Sequence, residues 1–134
     1  MYKTLKEVTQ IAEDLNMTIG AFNTHNLEML PEMIRAAKEK GSPIIIQTSI
    51  DTAKYIGYDV MVAVVKEIAN TEMVDVALHL DHARDFNEIK AAIDAGYSSV
   101  MYDGSHLPFK ENIAKTKAVV EYAHANGCLV YTSP

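Results

Sequence analysis

A unit of helix, glycine and short apolar strand recurs three times in this chain, as KEKGSPIII, IDAGYSSVM and HANGCLVY. A glycine just past a helix end supplies the left-handed cap that lets the backbone turn out of the helix. The apolar runs that follow alternate poorly with polar residues, as strands do when both faces of a sheet are covered. Two further runs, MTIGAFN and VDVALHLD, read the same way, which gives five strand candidates with SPIIIQTS, SSVMYDG and CLVYTS.

Helical periodicity fills the intervals. Asn26 to Lys40 carries Leu27, Leu30, Ile34 and Ala37 on one face, with Pro31 in the first turn, where a missing N–H costs little. Tyr58 to Ala69 aligns Val60, Val64 and Ile68, and Asp85 to Ala95 and Lys110 to Asn126 are the remaining helices. With an amphipathic helix at the N-terminus, the order is helix, four βα units and a fifth strand. This predicts an α/β fold with a parallel sheet in one domain over residues 1–134. Pattern alone slightly favours a doubly wound sheet, because a (β/α)8 barrel needs about 250 residues.

Composition closes several classes. The chain is 49% hydrophobic and 22% charged, which is ordinary for a folded domain and not for a disordered one. Its net charge of −6 and scattered Lys and Arg give no basic face for nucleic acid. No apolar run reaches the roughly 18–20 residues of a membrane helix, and the charged N-terminal helix lacks a signal peptide's apolar centre. A single cysteine, Cys128, forbids an internal disulfide, so a cytoplasmic home is expected.

Polar residues gather at the C-terminal ends of the strands: Asn23, Gln47 and Ser49, Asp81 and His82, and Asp103. In a barrel these ends converge on one mouth. The densest stretch is His79 to His82. His79 and Asp81 share a strand face, and His82 joins Asp81 only if the strand ends there. Imidazole and carboxylate suit zinc, but one of each does not complete a site that usually has three protein ligands. His79 reads as a hydrogen-bonded core histidine. Asp103 reads either as an outer metal ligand or as a turn-former. His106 reads as a loop-packing residue and His124 as a solvated one. The methionines at 29, 33, 61, 73 and 101 read as core filler. No phosphate-cradling glycine loop or serine-nucleophile elbow is present.

Four stretches in order, GAFNTHNLEML, SPIIIQTS, VALHLDHA with AAIDAGYSSVMYDGSHLPFKENI, and TKAVVEYAHANG, resemble the class II, metal-dependent fructose/tagatose-bisphosphate aldolases. The resemblance runs from about residue 1 to Gly127 and is most specific from Val76 to Ile113. It implies the N-terminal half of a (β/α)8 TIM barrel, and it reverses the preference for a doubly wound sheet. It implies a catalytic Zn2+ and a phosphorylated sugar substrate in a homo-oligomer, with no nucleic-acid or membrane partner. Asp81 falls on the family's proton-transferring acid/base and His82 on the first of three zinc histidines. Asp103 falls on a carboxylate near the metal, and Asn23 and Ser49 fall on substrate-contacting positions.

The chain also departs from the pattern. Ala83 stands where many relatives have glycine, and Tyr131 and Ser133 stand about where two glutamates are expected. The other zinc histidines and the phosphate loops fall beyond Pro134. The resemblance therefore implies an aldolase that reversibly cleaves fructose or tagatose 1,6-bisphosphate to dihydroxyacetone phosphate and glyceraldehyde 3-phosphate, with this chain inactive by itself. The alternative is a truncated, non-catalytic half-barrel that persists by self-association.

Overall fold

A computed structural model describes residues 1–132. The elements run α1 (Leu5–Asp14), β1 (Gly20–Asn23), α2 (Leu30–Glu39), β2 (Ile44–Ser49), α3 (Ile50–Ile56), α4 (Tyr58–Glu72), β3 (Val76–Ala83), α5 (Phe86–Ala95), β4 (Ser99–Tyr102), α6 (Phe109–Ala125) and β5 (Leu129–Thr132). All four strand pairs are parallel, and the sheet order is β1-β2-β3-β4-β5. A doubly wound sheet reverses its strand order at a switch point. A strictly sequential parallel order does not reverse, and it is the order of a barrel wall. The architecture is therefore a partial (β/α)8 barrel.

Side-chain parity divides the two faces of that wall. Ile44, Ile46, Val76, Leu78, Leu80, Val100 and Tyr102 join the main core, together with Leu30 and Ile34 of α2, Met61 and Val65 of α4, Ile89 of α5 and Val119 of α6. Helices α2 to α6 thus cover one face. The alternate residues point the other way, where a smaller cluster forms from Leu5 and Val8 of α1 on Ala77, with Ile19, Ile45 and Leu129 against it. This second face corresponds to a barrel interior, and α1 covers its lower end.

Several elements differ from the sequence expectation, each for a local reason. Helix α2 starts at Leu30 rather than Asn26. Asn26 Oδ1 accepts the Met29 N–H at 3.1 Å, and Thr24 Oγ1 donates to the Asn26 carbonyl at 2.7 Å. These short-range bonds hold residues 24–29 in a turn that competes with the helix. Helix α3 was not foreseen. Ser49 ends β2 and caps α3 directly, and Gly57, at φ 99°, separates it from α4. On α4 the buried face is Met61, Val62, Val65 and Ala69, whereas Val60 is exposed. Of the supposed core methionines, only Met61 is fully buried, and Met73 is 83% exposed in a left-handed C-cap at φ 58°. The glycine caps Gly41, Gly96 and Gly127 all adopt positive φ, as the repeated unit requires. No described helix is long and apolar enough to cross a membrane.

Candidate active site

The strand that carries HLDH does not end at Asp81, as the sequence reading required for Asp81 and His82 to share the mouth. It continues to Ala83, with a register shift against β4 between Leu80 and Ala83. Within that shift His82 takes φ 51°. A bulge of this kind inserts a residue and re-aims side chains. Asp81 keeps the interior face set by its pairing with Ser49. His82 turns beside it instead of pointing into the helical layer, with Nε2 3.8 Å from Asp81 Oδ1. A left-handed histidine in a strand is uncommon and marks a backbone whose surroundings over-determine it.

The other ring nitrogen, Nδ1, lies 3.5 Å from Asp103 Oδ2. Asp103 immediately follows β4 and is almost fully buried. Its Oδ1 accepts the Ser105 hydroxyl at 2.6 Å and the Ser105 N–H at 3.2 Å. Its Oδ2 accepts Arg84 Nε at 3.1 Å, and Arg84 Nη2 is also 3.1 Å away. These donors, the Ser105 hydroxyl foremost, hold the carboxyl well below the usual range despite its burial. Asp103 is thus a turn carboxylate, the second of the two readings left open by the sequence, and it is also a neighbour of His82.

Asn23, at the end of β1, donates from Nδ2 to Asp81 Oδ2 at 3.1 Å. Ser49 lies opposite Asp81 in the β2–β3 register. Its Oγ donates to Thr52 Oγ1 at 3.1 Å and accepts the Thr52 N–H at 3.3 Å. All five candidate residues therefore sit at the C-terminal ends of strands, and Asn23, Asp81, His82 and Asp103 form one connected run of contacts.

Below them, His79 is buried, with Nδ1 2.7 Å from Ser99 Oγ. Burial lowers its pKa to about 4, so the ring is neutral at ordinary pH. It is the hydrogen-bonded core histidine expected. Tyr131 packs edge-on against it, with ring centroids 5.9 Å apart. His79 and Tyr131 line a cavity of about 230 Å3 on the inner face with Leu5, Ala21, Ile45, Gln47 and Met101. Ser133 lies outside the described residues. His106 and His124 are exposed, so His106 does not pack in its loop.

Sequence reasoning missed Arg84 and Ser105. Their only signal was adjacency, Arg84 two residues past His82 and Ser105 two past Asp103. It missed Ser99 as well, because a serine inside an apolar strand announces no partner.

As a donor set for a divalent metal, this cluster is chemically suitable but partial. His82 offers one imidazole at an open position, and Asp103 already accepts four hydrogen bonds or ion-pair contacts. Among the described residues no three His, Cys, Asp or Glu side chains group as a metal site. His82 fits such an ion as one ligand of several, with Asp103 behind it.

The family profile described as "Fructose-bisphosphate aldolase class-II" matches residues 3–131. The match extends four residues beyond Gly127, the end of the sequence resemblance. A fructose-bisphosphate aldolase from Geobacillus stearothermophilus is 44% identical over 130 residues, which cover 95% of this chain and 45% of the relative. One from Streptococcus pyogenes serotype M1 is 42% identical over 128 residues, covering 93% and 43%. The crystal structure of the YdjI aldolase from Escherichia coli K12 superposes with a TM-score of 0.86 at 31% identity, covering 98% of this chain and 50% of that one. The chain thus spans a little under half the length of the curated relatives it matches. With the profile matched over nearly every residue, the chain belongs to the class-II fructose-bisphosphate aldolase family.

Proposed function

We propose that this chain provides the first half of a zinc-dependent ketose-bisphosphate aldolase active site. The reaction is the reversible cleavage of fructose or tagatose 1,6-bisphosphate into dihydroxyacetone phosphate and glyceraldehyde 3-phosphate. The observation that carries the reading is the bulge in β3, which sets Asp81 and His82 side by side at the mouth although they are neighbours in sequence. A regular strand would send them to opposite faces.

Asp81 is the proton carrier. It accepts the proton of the substrate's C4 hydroxyl as the C3–C4 bond breaks, and it returns a proton to the aldehyde oxygen in the reverse direction. Asn23 holds its Oδ2 by a hydrogen bond and fixes the direction from which the carboxylate meets the sugar. Ser49, opposite Asp81 on the neighbouring strand, faces the same space and contacts the substrate. His82 would hold the metal through a ring nitrogen as one ligand of several, since no three such side chains group together among the described residues. A bound zinc acts as a Lewis acid toward the ketose carbonyl oxygen.

The test is a graft in which this chain replaces the corresponding half of the Geobacillus stearothermophilus enzyme. The expected graft contains zinc and cleaves fructose 1,6-bisphosphate. Asp81→Ala then retains zinc and loses turnover, whereas His82→Ala loses zinc. A folded graft in which Asp81→Ala leaves turnover intact would sink the assignment.

Self-association is a second reading, and the free edges favour it. Among the described residues, β1 and β5 each pair on one side only. Beside β1, an apolar groove of about 360 Å3 runs along Phe22, Met33, Ala37 and Ile44, and Phe22 is exposed. Unpaired edges and apolar surface are what a second chain would cover. A concentration-independent monomer in light scattering rules this reading out.

A further inference from the structure

Arg84 has no place in the chemistry above, yet its guanidinium meets the carboxylate behind His82. Nε and Nη2 both reach Asp103 Oδ2, each at 3.1 Å. The same oxygen stands 3.5 Å from His82 Nδ1. The opposite oxygen is tied down by Ser105, through its hydroxyl at 2.6 Å and its N–H at 3.2 Å. We infer that Arg84 is a positioning residue, which locks the plane of the Asp103 carboxylate so that Oδ2 accepts a proton-bearing His82 Nδ1 and leaves Nε2 as the free ring nitrogen.

The terminal torsion of an aspartate is soft, with a broad preference rather than three sharp wells. Ser105 anchors one oxygen, and because the two oxygens turn together, a brace on the second stiffens the whole carboxylate. The Arg84 fork is that brace, with Nε donating to Oδ2 and Nη2 within ion-pair range of the same oxygen, and it narrows the torsion further. The tautomer of a neutral histidine is set by the hydrogen bond its other nitrogen makes. An acceptor held at Nδ1 therefore places the lone pair on Nε2, the nitrogen that lies toward Asp81. A carboxylate behind a ligating histidine orients the ring in the same manner in many metal sites. Arg84 itself is largely exposed, with 65% of its side chain open to solvent. Its removal opens no cavity in the core, so its effect is directional rather than a matter of packing.

The inference rests on the proposed role of His82 for its purpose, but its test needs neither metal nor substrate. In the chain labelled with 15N in its histidine rings, long-range proton–nitrogen spectra report which nitrogen carries the hydrogen. They are recorded above the ordinary histidine pKa of about 6.5. The wild-type His82 is expected to carry it on Nδ1. Arg84→Gln is expected to move the proton mainly to Nε2, and Arg84→Lys, which restores a cation but not the fork, to give a mixture. His79, held by Ser99, is the internal control and should not change. A wild-type His82 protonated on Nε2 overturns the inference by itself, even if a variant fails to fold. So does an Nδ1–H form that survives Arg84→Gln. A graft that shows the Nδ1–H tautomer and still binds no metal would instead overturn the metal role of His82 and leave the Arg84 clamp standing.

Discussion

The Asn23 amide donates to Asp81 Oδ2 at 3.1 Å, from the end of β1 to the end of β3, with β2 lying between. The contact spans two strand spacings, so it depends on the curvature of the wall rather than on a neighbouring pair. It is a solvent-accessible bond, and such bonds contribute about 0.5–1.5 kcal/mol net to stability. Its larger effect is on direction. Asn23→Ala is expected to change the denaturation midpoint little and to lower turnover of the grafted enzyme about 10- to 100-fold, through loss of alignment. Denaturant titration beside steady-state kinetics separates the two. A stability loss above about 2 kcal/mol with unchanged turnover would make Asn23 structural.

The wall was legible in sequence because its determinants are local. The three glycine caps and the apolar runs fixed five strands, and the order of the elements followed. What was not legible depends on groups distant in sequence or on a single backbone angle. Periodicity places His82 on the helical side of the sheet, and only the bulge at φ 51° reverses that. The strand thus runs through the point where the sequence reading needed it to stop. Asp103 reads as a turn former because Ser105 is close in sequence, while its partners Arg84 and His82 come from another strand end. The choice between barrel and doubly wound sheet rested on resemblance, since strand order is a tertiary property.

Ser49 was assigned to substrate, and it also caps α3 by accepting the Thr52 N–H at 3.3 Å. Ser49→Ala is therefore expected to cost about 1 kcal/mol of stability whatever its role in binding. Aspartate is an equally good cap, so Ser49→Asp should recover part of that loss, against repulsion from Asp81 opposite it. It also places a negative charge where a phosphorylated sugar would sit. The expected pattern is a stability between Ser49→Ala and the wild type, with a raised KM for the grafted enzyme. An unchanged KM in Ser49→Asp would remove Ser49 from the substrate contacts.

Met73 ends α4 in a left-handed conformation at φ 58° with 83% of its surface exposed. Three other helix ends use glycine at the equivalent turn. A left-handed conformation costs a non-glycine residue about 1–2 kcal/mol, partly offset by the greater entropy glycine loses on folding. Few contacts are lost on truncation. Met73→Gly is expected to stabilise the chain by about 0.5–1 kcal/mol, read as a higher urea midpoint with unchanged slope. A lower midpoint would show that the Met73 side chain contributes packing that its exposure conceals.

His79 links stability to pH. In the unfolded chain its ring protonates near pH 6.5, and in the folded chain burial lowers the value to about 4. Above pH 6.5 the ring is neutral in both states and contributes no pH dependence. Between the two values the unfolded state holds the extra proton. Stability then falls as the pH drops, by at most about 1.4 kcal/mol per pH unit. Asp103 acts in a separate window. Its lowered pKa gives stability that is present above the ordinary aspartate value of about 3.9 and lost only below it. Urea midpoints measured from pH 7 to 4.5 should therefore decline in the wild type and decline less in His79→Gln, which keeps a polar partner for Ser99 without a titrating ring. Equal slopes in the two proteins would mean that another group carries the acid sensitivity.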